Sequence, residues 1–215
     1  MKRITFILPF LGLALLGFSC GSRTVTRQYY VIEFPVARDS AALARTPLSS
    51  GYCEIAPLEI APAYAQKRIA VRIGTHELNY YQEHEWAVRP DEAIAAQVED
   101  YLQSRRLFAM VSSRLGRETP QYELYTRIHQ LEAIDQKNRL LAHLRLDWEL
   151  YDRVSGERAV LHSFNESQIL QKRNINLLAA AVSGILKEEL AHLGDKIEAY
   201  LKENQAAAPA SPGQE

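Results

Sequence analysis

Leu140-Leu141-Ala142-His143-Leu144-Arg145-Leu146-Asp147-Trp148-Glu149-Leu150 is the stretch from which the fold can be read. Leu140, Ala142, Leu144, Leu146, Trp148 and Leu150 share one parity, while His143, Arg145, Asp147 and Glu149 occupy the other. Side chains alternate across a strand, so this spacing predicts a half-buried β-strand with one apolar and one wet face. Trp148 falls on the apolar side and is expected in the core. Upstream, Tyr122 to Ile134, entered after Thr119-Pro120, reads as a longer strand, and Asp135 to Asn138 supply a turn between the two. Ser155-Gly156 marks a second turn, so Tyr122 to Ile169 is expected to form an antiparallel three-strand meander.

Beyond the meander the period becomes helical. Ile175, Leu178, Val182, Ile185, Leu186, Leu190, Leu193, Ile197 and Leu201 form one broad apolar stripe and predict a long packing helix from Asn174. Gly184 and Gly194 inside it each cost about 1 kcal/mol relative to alanine, which points to close packing or a bend. Before the meander, Pro90 with Asp91 and Glu92 behind it starts another helix. Ile94, Val98, Tyr101 and Leu102 make its docking stripe, and Arg105 and Arg106 suit its negative end.

Shorter strands come first in the chain. Tyr29 to Phe34 carries β-branched and aromatic residues and stops at Pro35. Tyr52 to Ile60 is a second strand, in which Pro57 demands an edge, a bulge or a break. Ile69 to Ile73 reads as a strand with one buried face, and Leu107 to Ser112 as another. Leu78 to Tyr81 and His84 to Val88 read as two short extended pieces. Ala37 to Gly51 reads as a loop with a helical turn around Ala41 to Ala44.

The N-terminus carries a different kind of information. Lys2 and Arg3 precede an apolar run from Ile4 to Phe18. That run is shorter than the roughly 20 residues of a membrane-spanning helix, so residues 1–19 read as a secretory signal peptide. Cys20, after Gly17-Phe18-Ser19, resembles the lipobox cysteine of bacterial lipoproteins, whose thiol is diacylated and whose freed amine is acylated, typically with palmitate. Leu16 stands four places before it, with Gly17 where the lipobox leucine usually sits. An ordinary signal peptide with a cysteine near its end is the alternative.

Cys20 is therefore expected as the lipid anchor, with residues 20–28 as a lipidated tether. Fully extended at roughly 3.3–3.6 Å per residue, such a tether holds the domain within about 30 Å of its membrane. Gly21 follows the cysteine, where an aspartate would favour inner-membrane retention, so the expected place is the outer membrane, facing the periplasm. Residues 29–203 are expected to be a periplasmic α/β domain and residues 204–215, rich in Ala, Pro, Ser and Gly, a disordered tail.

The bulk numbers exclude several classes. A chain of 215 residues, less a signal peptide, has room for one domain with one core. Its 25 basic residues face 26 acidic ones, and loss of Lys2 and Arg3 leaves 23 against 26. That balance argues against a nucleic-acid partner. Cys53 is the other cysteine; with Cys20 acylated it has no disulfide partner, and no basic neighbour activates it, so it reads as a buried inert thiol.

Motifs for chemistry are missing from the sequence: there is no glycine-rich phosphate loop, no Gly-x-Ser-x-Gly elbow and no His-Glu-x-x-His helix. His76-Glu77 and Glu83-His84-Glu85 are the best candidates for a metal, but no tight ligand pair lies on one face, and they read as solvated polar residues. His143, Asp147 and Glu149 share a wet strand face, where Arg145 among them argues against a cation. No catalytic, cofactor-binding or metal residue is therefore assigned. Leu78, Tyr80, Tyr81, Glu83 and Trp86 are a candidate surface for a partner or lipid, with core filling as the alternative.

With these strands placed, the chain resembles the ABC-type transport auxiliary lipoproteins, including the lipoprotein of the paraquat-inducible operon. The resemblance rests on Tyr29-Tyr30-Val31-Ile32 soon after the lipid cysteine and on Glu54-Ile55-Ala56-Pro57-Leu58-Glu59-Ile60-Ala61-Pro62-Ala63-Tyr64. Arg68-Ile69-Ala70-Val71-Arg72, Glu77-Leu78-Asn79-Tyr80-Tyr81 and His84-Glu85-Trp86-Ala87, leading into the Pro90 helix, continue it. After the proline-x-tyrosine the similar proteins carry Leu-Asp or the like, whereas Ala65-Gln66-Lys67 stands here.

The resemblance implies an α/β domain built as a three-layer sandwich, a mixed β-sheet with the two helices as its main covers, and the elements above agree with it. It also implies a periplasm-facing lipoprotein that is not an enzyme and works beside an ABC permease and ATPase and a mammalian-cell-entry (MCE) domain protein in lipid transport. Self-association into a homo-oligomer is compatible with such a role. Two rivals remain from other classes: a structural or regulatory outer-membrane lipoprotein, such as a wall-synthesis activator or a lipopolysaccharide assembly factor, and a periplasmic metal-dependent hydrolase using the His-Glu residues.

Overall fold

The alternating stretch becomes the second strand of a three-strand antiparallel ribbon. In the computed structural model, which describes residues 26–36, 45–114, 116 and 118–207, β7 (Tyr122–Gln136) pairs antiparallel with β8 (Arg139–Asp152), and β8 pairs antiparallel with β9 (Glu157–Ile169). Leu140, Ala142, Leu144, Leu146, Trp148 and Leu150 are all buried, as their shared parity requires. The turn into β9 needs Gly156, whose φ of +75° is costly for any residue with a Cβ.

β7 does not keep a single parity. Its register against β8 shifts between Ile128 and Gln130, so Leu124, Thr126 and Ile128 are buried before the bulge and Leu131 and Ala133 after it. One extra residue, His129, re-aims everything that follows, and Glu132 is thereby turned to the face away from the helices.

Along its other side β7 serves three short strands in succession, all parallel to it. β2 (Tyr52–Ile55) lies against Tyr122–Leu124, β3 (Glu59–Ile60) against Arg127–Ile128, and β4 (Arg68–Arg72) against Glu132–Ile134. The expected strand from Tyr52 to Ile60 is thus split in two around Pro57, which cannot donate to a ladder. β6 (Met110–Ser112) adds to β2 in parallel, β5 (Leu78–Trp86) to β4 antiparallel, and β1 (Gln28–Tyr30) to β5 in parallel, giving a nine-stranded mixed sheet.

Several local expectations need correction. Leu78 to Trp86 is one continuous strand, flanked by β1 and β4, in place of two short pieces. The first strand ends at Tyr30 although the extended sequence runs on to Phe34, because the backbone N–H groups of Glu33 and Phe34 donate to Ser183 Oγ (3.1 Å) and Gln97 Oε1 (3.1 Å) on the helices. In β4, Ile69, Ala70 and Val71 are all buried instead of alternating, and Ile73 is exposed. Residues 61–67 cover the second face there: Tyr64 is buried and Tyr80 donates to the Ala63 carbonyl.

Helix α1 (Pro90–Arg105) starts at its proline, with Asp91 and Glu92 in the first turn, and buries Ile94, Val98 and Leu102. Helix α2 (Ile175–Ala207) is capped by Asn174, whose Oδ1 accepts the N–H groups of Asn176 (2.8 Å) and Leu177 (3.3 Å). Every residue of its expected stripe is buried, from Ile175 to Leu201. The helices touch each other where Gly194 lets the Tyr101 ring come within 3.4 Å of the place a Cβ would take, and Arg105 donates to Asp195 and Glu198. Gly184 has no such neighbour.

The expected three-layer sandwich gives way to a simpler arrangement. α1 and α2 pack against each other, and α2 packs against β8 and β9, so both helices lie on the apolar side of the sheet. On the other side, among the described residues, lie the polar parity of β8, a charged groove and residues 61–67. The expected signal peptide, Cys20, most of the tether and the turn at Ala41 to Ala44 lie outside the described residues, as does the expected tail from residue 208 on, whereas its first residues, 204–207, are the helical end of α2 and not a disordered segment.

Candidate functional site

The face away from the helices carries a groove of about 570 Å³ along β3, β7 and β8. Tyr125, opposite Glu149, and Tyr151, opposite Glu123, are diagonal neighbours across the ribbon and meet edge-to-face with ring centroids 5.6 Å apart. Tyr125 donates to Glu123 Oε2 (3.0 Å) and Tyr151 to Glu149 Oε2 (2.9 Å). Arg127 pairs with Glu59 (2.8 Å), Arg158 with Glu149 (3.2 Å) and Arg153 with Glu123. Five carboxylates line the groove with Arg127 and Arg153, and Arg158 reaches Glu149 from its rim, which leaves a net acidic surface that favours a cationic partner.

Two of these acids, Glu149 and Asp147, are held in their charged form. The Tyr151 and Arg158 hydrogen bonds hold the Glu149 carboxyl below its usual range. Burial alone would raise Asp147, and bonds from His129 (2.6 Å) and Ser163 more than reverse that. The expected row of His143, Asp147 and Glu149 is therefore three separate pairings and no convergent ligand set: His143 turns to Glu132 and Asn165, Asp147 to His129, and Glu149 to Tyr151 and Arg158.

A second cluster closes the far end of this face. Glu132, 2% exposed, accepts two bonds from Arg72 (2.6 and 2.9 Å), one from Tyr64 (2.7 Å), and faces His143 Nδ1 at 3.4 Å. Burial would push its carboxyl up, but the bonds from His143, Arg72 and Tyr64 win and hold it at about 2. The same contact, with the Asn165 Oδ1 acceptor at 2.7 Å on Nε2, raises the His143 imidazole: both ring nitrogens face acceptors, which suits the doubly protonated ring. Burial, then Glu132, pushes the Tyr64 phenol up to about 12. This cluster fastens residues 61–67 to the sheet.

The expected partner surface on β5 is divided by the fold. Trp86 is core, 3% exposed. Tyr81 packs against the core and Leu78 is half-buried. Tyr80 lies under the Arg68 guanidinium at 4.9 Å, and Glu83 alone of the five is fully accessible. The His-Glu residues do not converge either. His76 and Glu77 sit in the turn before β5, while His84 bonds the Tyr30 hydroxyl (2.9 Å) near its far end and Glu85 pairs with Arg27 (3.3 Å). Cys53 is fully buried, and burial pushes its thiol well up, as an inert thiol requires.

One group escaped sequence reasoning. His162 on β9 lies against Glu189 and His192 on α2, with His162 Nε2 to Glu189 Oε2 at 2.7 Å and His192 Nδ1 to the same oxygen at 3.6 Å. Half of it was visible, since Glu189-Leu190-Ala191-His192 places an acid and a histidine one turn apart on a helix. His162 comes from another element and carries no local signal.

A mixed sheet with both helices on one face and a charged groove on the other defines an α/β domain built to present a surface, and among the described residues no helix is long and apolar enough to cross a membrane. The family model described as "ABC-type transport auxiliary lipoprotein component" matches residues 30–194, and the chain belongs to that family. No curated protein matches it. Among solved structures it is similar to protein XCC0632 from Xanthomonas campestris, with a TM-score of 0.69 at 17% identity over 83% of this chain and 99% of that one. A second crystal structure, of an uncharacterized protein, gives 0.64 at 14% identity over 80% and 99%. The PelC dodecamer from Paraburkholderia phytofirmans gives 0.42 at 10% identity over 71% and 89%, too distant to carry an argument. The first two likenesses concern the fold.

Proposed function

We propose that this protein is the outer-membrane, periplasm-facing auxiliary lipoprotein of an ABC transport system that moves lipid across the envelope with an MCE-domain protein. The family membership over residues 30–194 is the observation that carries the reading. Cys20 is its lipid anchor: two or three acyl chains attach a domain lastingly where one does not. A tether of about eight residues reaches only about 30 Å, so the domain serves transport by meeting a longer partner close to the membrane.

The partner contact lies on the face away from the helices, in the groove around Tyr125 and Tyr151 and at the accessible Glu83 of β5. A positively charged surface on the partner complements the groove's excess of carboxylates. No catalytic centre takes part in this reading, and the joint change of His76→Ala with His84→Ala is expected to leave envelope function intact.

Photo-crosslinking in cells tests the reading. A crosslinker at Tyr125 or Glu83 is expected to trap the co-encoded MCE-domain protein, and one at Lys187, exposed on α2, is not. Adducts from Lys187 alone would reject this surface, and adducts from none of the three would reject the partnership. Cys20→Ala is expected to leave an uncleaved precursor or a soluble form. Wild-type size and fractionation with the outer membrane would overturn the anchor.

A further inference from the structure

The geometry points to a site for a divalent transition-metal ion of the zinc type, formed by His162, Glu189 and His192 where β9 meets α2. One ligand atom from each of the three side chains lies within 4.8 Å of the other two. Around a tetrahedral zinc with bonds of about 2.0–2.1 Å, ligand atoms stand roughly 3.3 Å apart. The separations from the shared Glu189 oxygen, 2.7 Å to His162 Nε2 and 3.6 Å to His192 Nδ1, bracket that value, and no side of the triangle of ligand atoms exceeds 4.8 Å, so the two rings draw together by at most about 1.5 Å around the ion. Two imidazole nitrogens and one carboxylate suit zinc, cobalt or nickel better than calcium or magnesium, which prefer oxygen alone.

The ligands are held before any ion arrives. The His162 ring stacks on Trp148 with centroids 5.8 Å apart and planes 10° apart, and its side chain is 8% exposed. Glu189 and His192 are one turn apart on a single helix. The His192 side chain is 62% exposed, so the fourth coordination position opens to water or to a ligand from another molecule.

One neighbour opposes the ion. Lys196 Nζ lies 3.0 Å from His162 Nδ1 and 3.4 Å from the Leu161 carbonyl. In the ion-free state the ammonium donates to Nδ1, which leaves the ring proton on Nε2, where it is donated to Glu189. Coordination through Nε2 places the ring's single proton on Nδ1, facing the ammonium, so Lys196 must swing into solvent. Its exposed position on α2 allows this. The bound ion ties the outer strand of the ribbon to the long helix, which goes beyond the transport reading and is independent of it.

The test uses the full-length protein in detergent, stripped with a chelator and titrated with Co²⁺ and then Zn²⁺. A single equivalent of Co²⁺ is expected to give the visible absorption of a four-coordinate site and to be displaced by Zn²⁺, and Zn²⁺ is expected to raise the melting temperature. His192→Ala, at an exposed position that leaves the fold alone, is expected to weaken binding about tenfold or more and to abolish the melting shift. Lys196→Met is expected to tighten it. Lack of saturable binding at micromolar metal, binding that His192→Ala leaves unchanged, or binding that Lys196→Met weakens would each overturn the site.

Discussion

Replacing Glu132 with glutamine keeps the shape of the side chain and removes a buried charge that three partners hold. The folded carboxyl sits at about 2 against an ordinary 4.5, and at about 1.4 kcal/mol per pKa unit the charged form contributes about 3–4 kcal/mol. Arg72, 25% exposed, can turn partly to water once its acid is gone, so the expected loss for Glu132→Gln stays near that figure instead of the 5 kcal/mol of a fully buried pair. A depressed carboxyl contributes its stability above the unfolded value of 4.5 and loses it as pH falls towards 2. His143 has the opposite sign: its raised imidazole contributes below 6.5 and loses that contribution as pH rises through the folded value. The variant's deficit in urea unfolding should therefore be greatest between about pH 5 and pH 6, and fall to less than about half of that by pH 3. Equal deficits at the two ends of that range would mean that glutamine costs packing and not charge. A deficit below about 1 kcal/mol throughout would place the cluster among surface ion pairs, and the account of it would be wrong.

Gly184 has nothing within 4 Å of the place a Cβ would occupy, so Gly184→Ala is expected to stabilise the protein by about 0.5–1 kcal/mol, read as a higher urea midpoint. Gly194→Leu should do the reverse, since the added side chain meets Tyr101 and Arg105 and pushes α1 away from α2; an unchanged midpoint would show the helices to be loosely packed. Leu186 is fully buried in the helix–sheet core, and Leu186→Ala is expected to cost about 3–4 kcal/mol by the same measurement. Cys53 should react with thiol reagents only as fast as the protein unfolds, and labelling at the rate of an exposed thiol would contradict its burial.

What could be read from the residues and what could not divide along physical lines. Strand β8 and helix α2 were legible because each keeps one period over its whole length and one face against the core. Pro57 and Pro90 were legible because proline acts locally on the backbone. β7 was only half legible, since the bulge at His129 changes its parity without leaving any mark in composition. The end of β1 depended on side chains far along the chain, Ser183 and Gln97, that take the N–H groups a strand partner would have used. The layer count has its own signal in β8, whose alternate residues His143, Arg145, Asp147 and Glu149 argue against a helix on that side. The aromatics of β5 do not form one surface because a strand sends neighbouring residues to opposite faces, and Trp86 took the core place that was the alternative for it.

The way the chain enters the domain also sets how it answers to force. With Cys20 held in the membrane as proposed, any relative movement between bilayer and partner pulls on Gln28, the first residue of β1. β1 runs parallel to β5 along Gln28–Tyr30 and His84–Trp86, so tension along the strand loads those bonds together, in shear, and does not open them one at a time. Behind them Ile32 and Phe34 are buried, and the next N–H groups are fastened to both helices. A short strand at the sheet's margin thus works as a mechanical clamp: it keeps the groove at a fixed attitude to the bilayer under load, and its yield strength caps the force the anchor can pass to the rest of the domain.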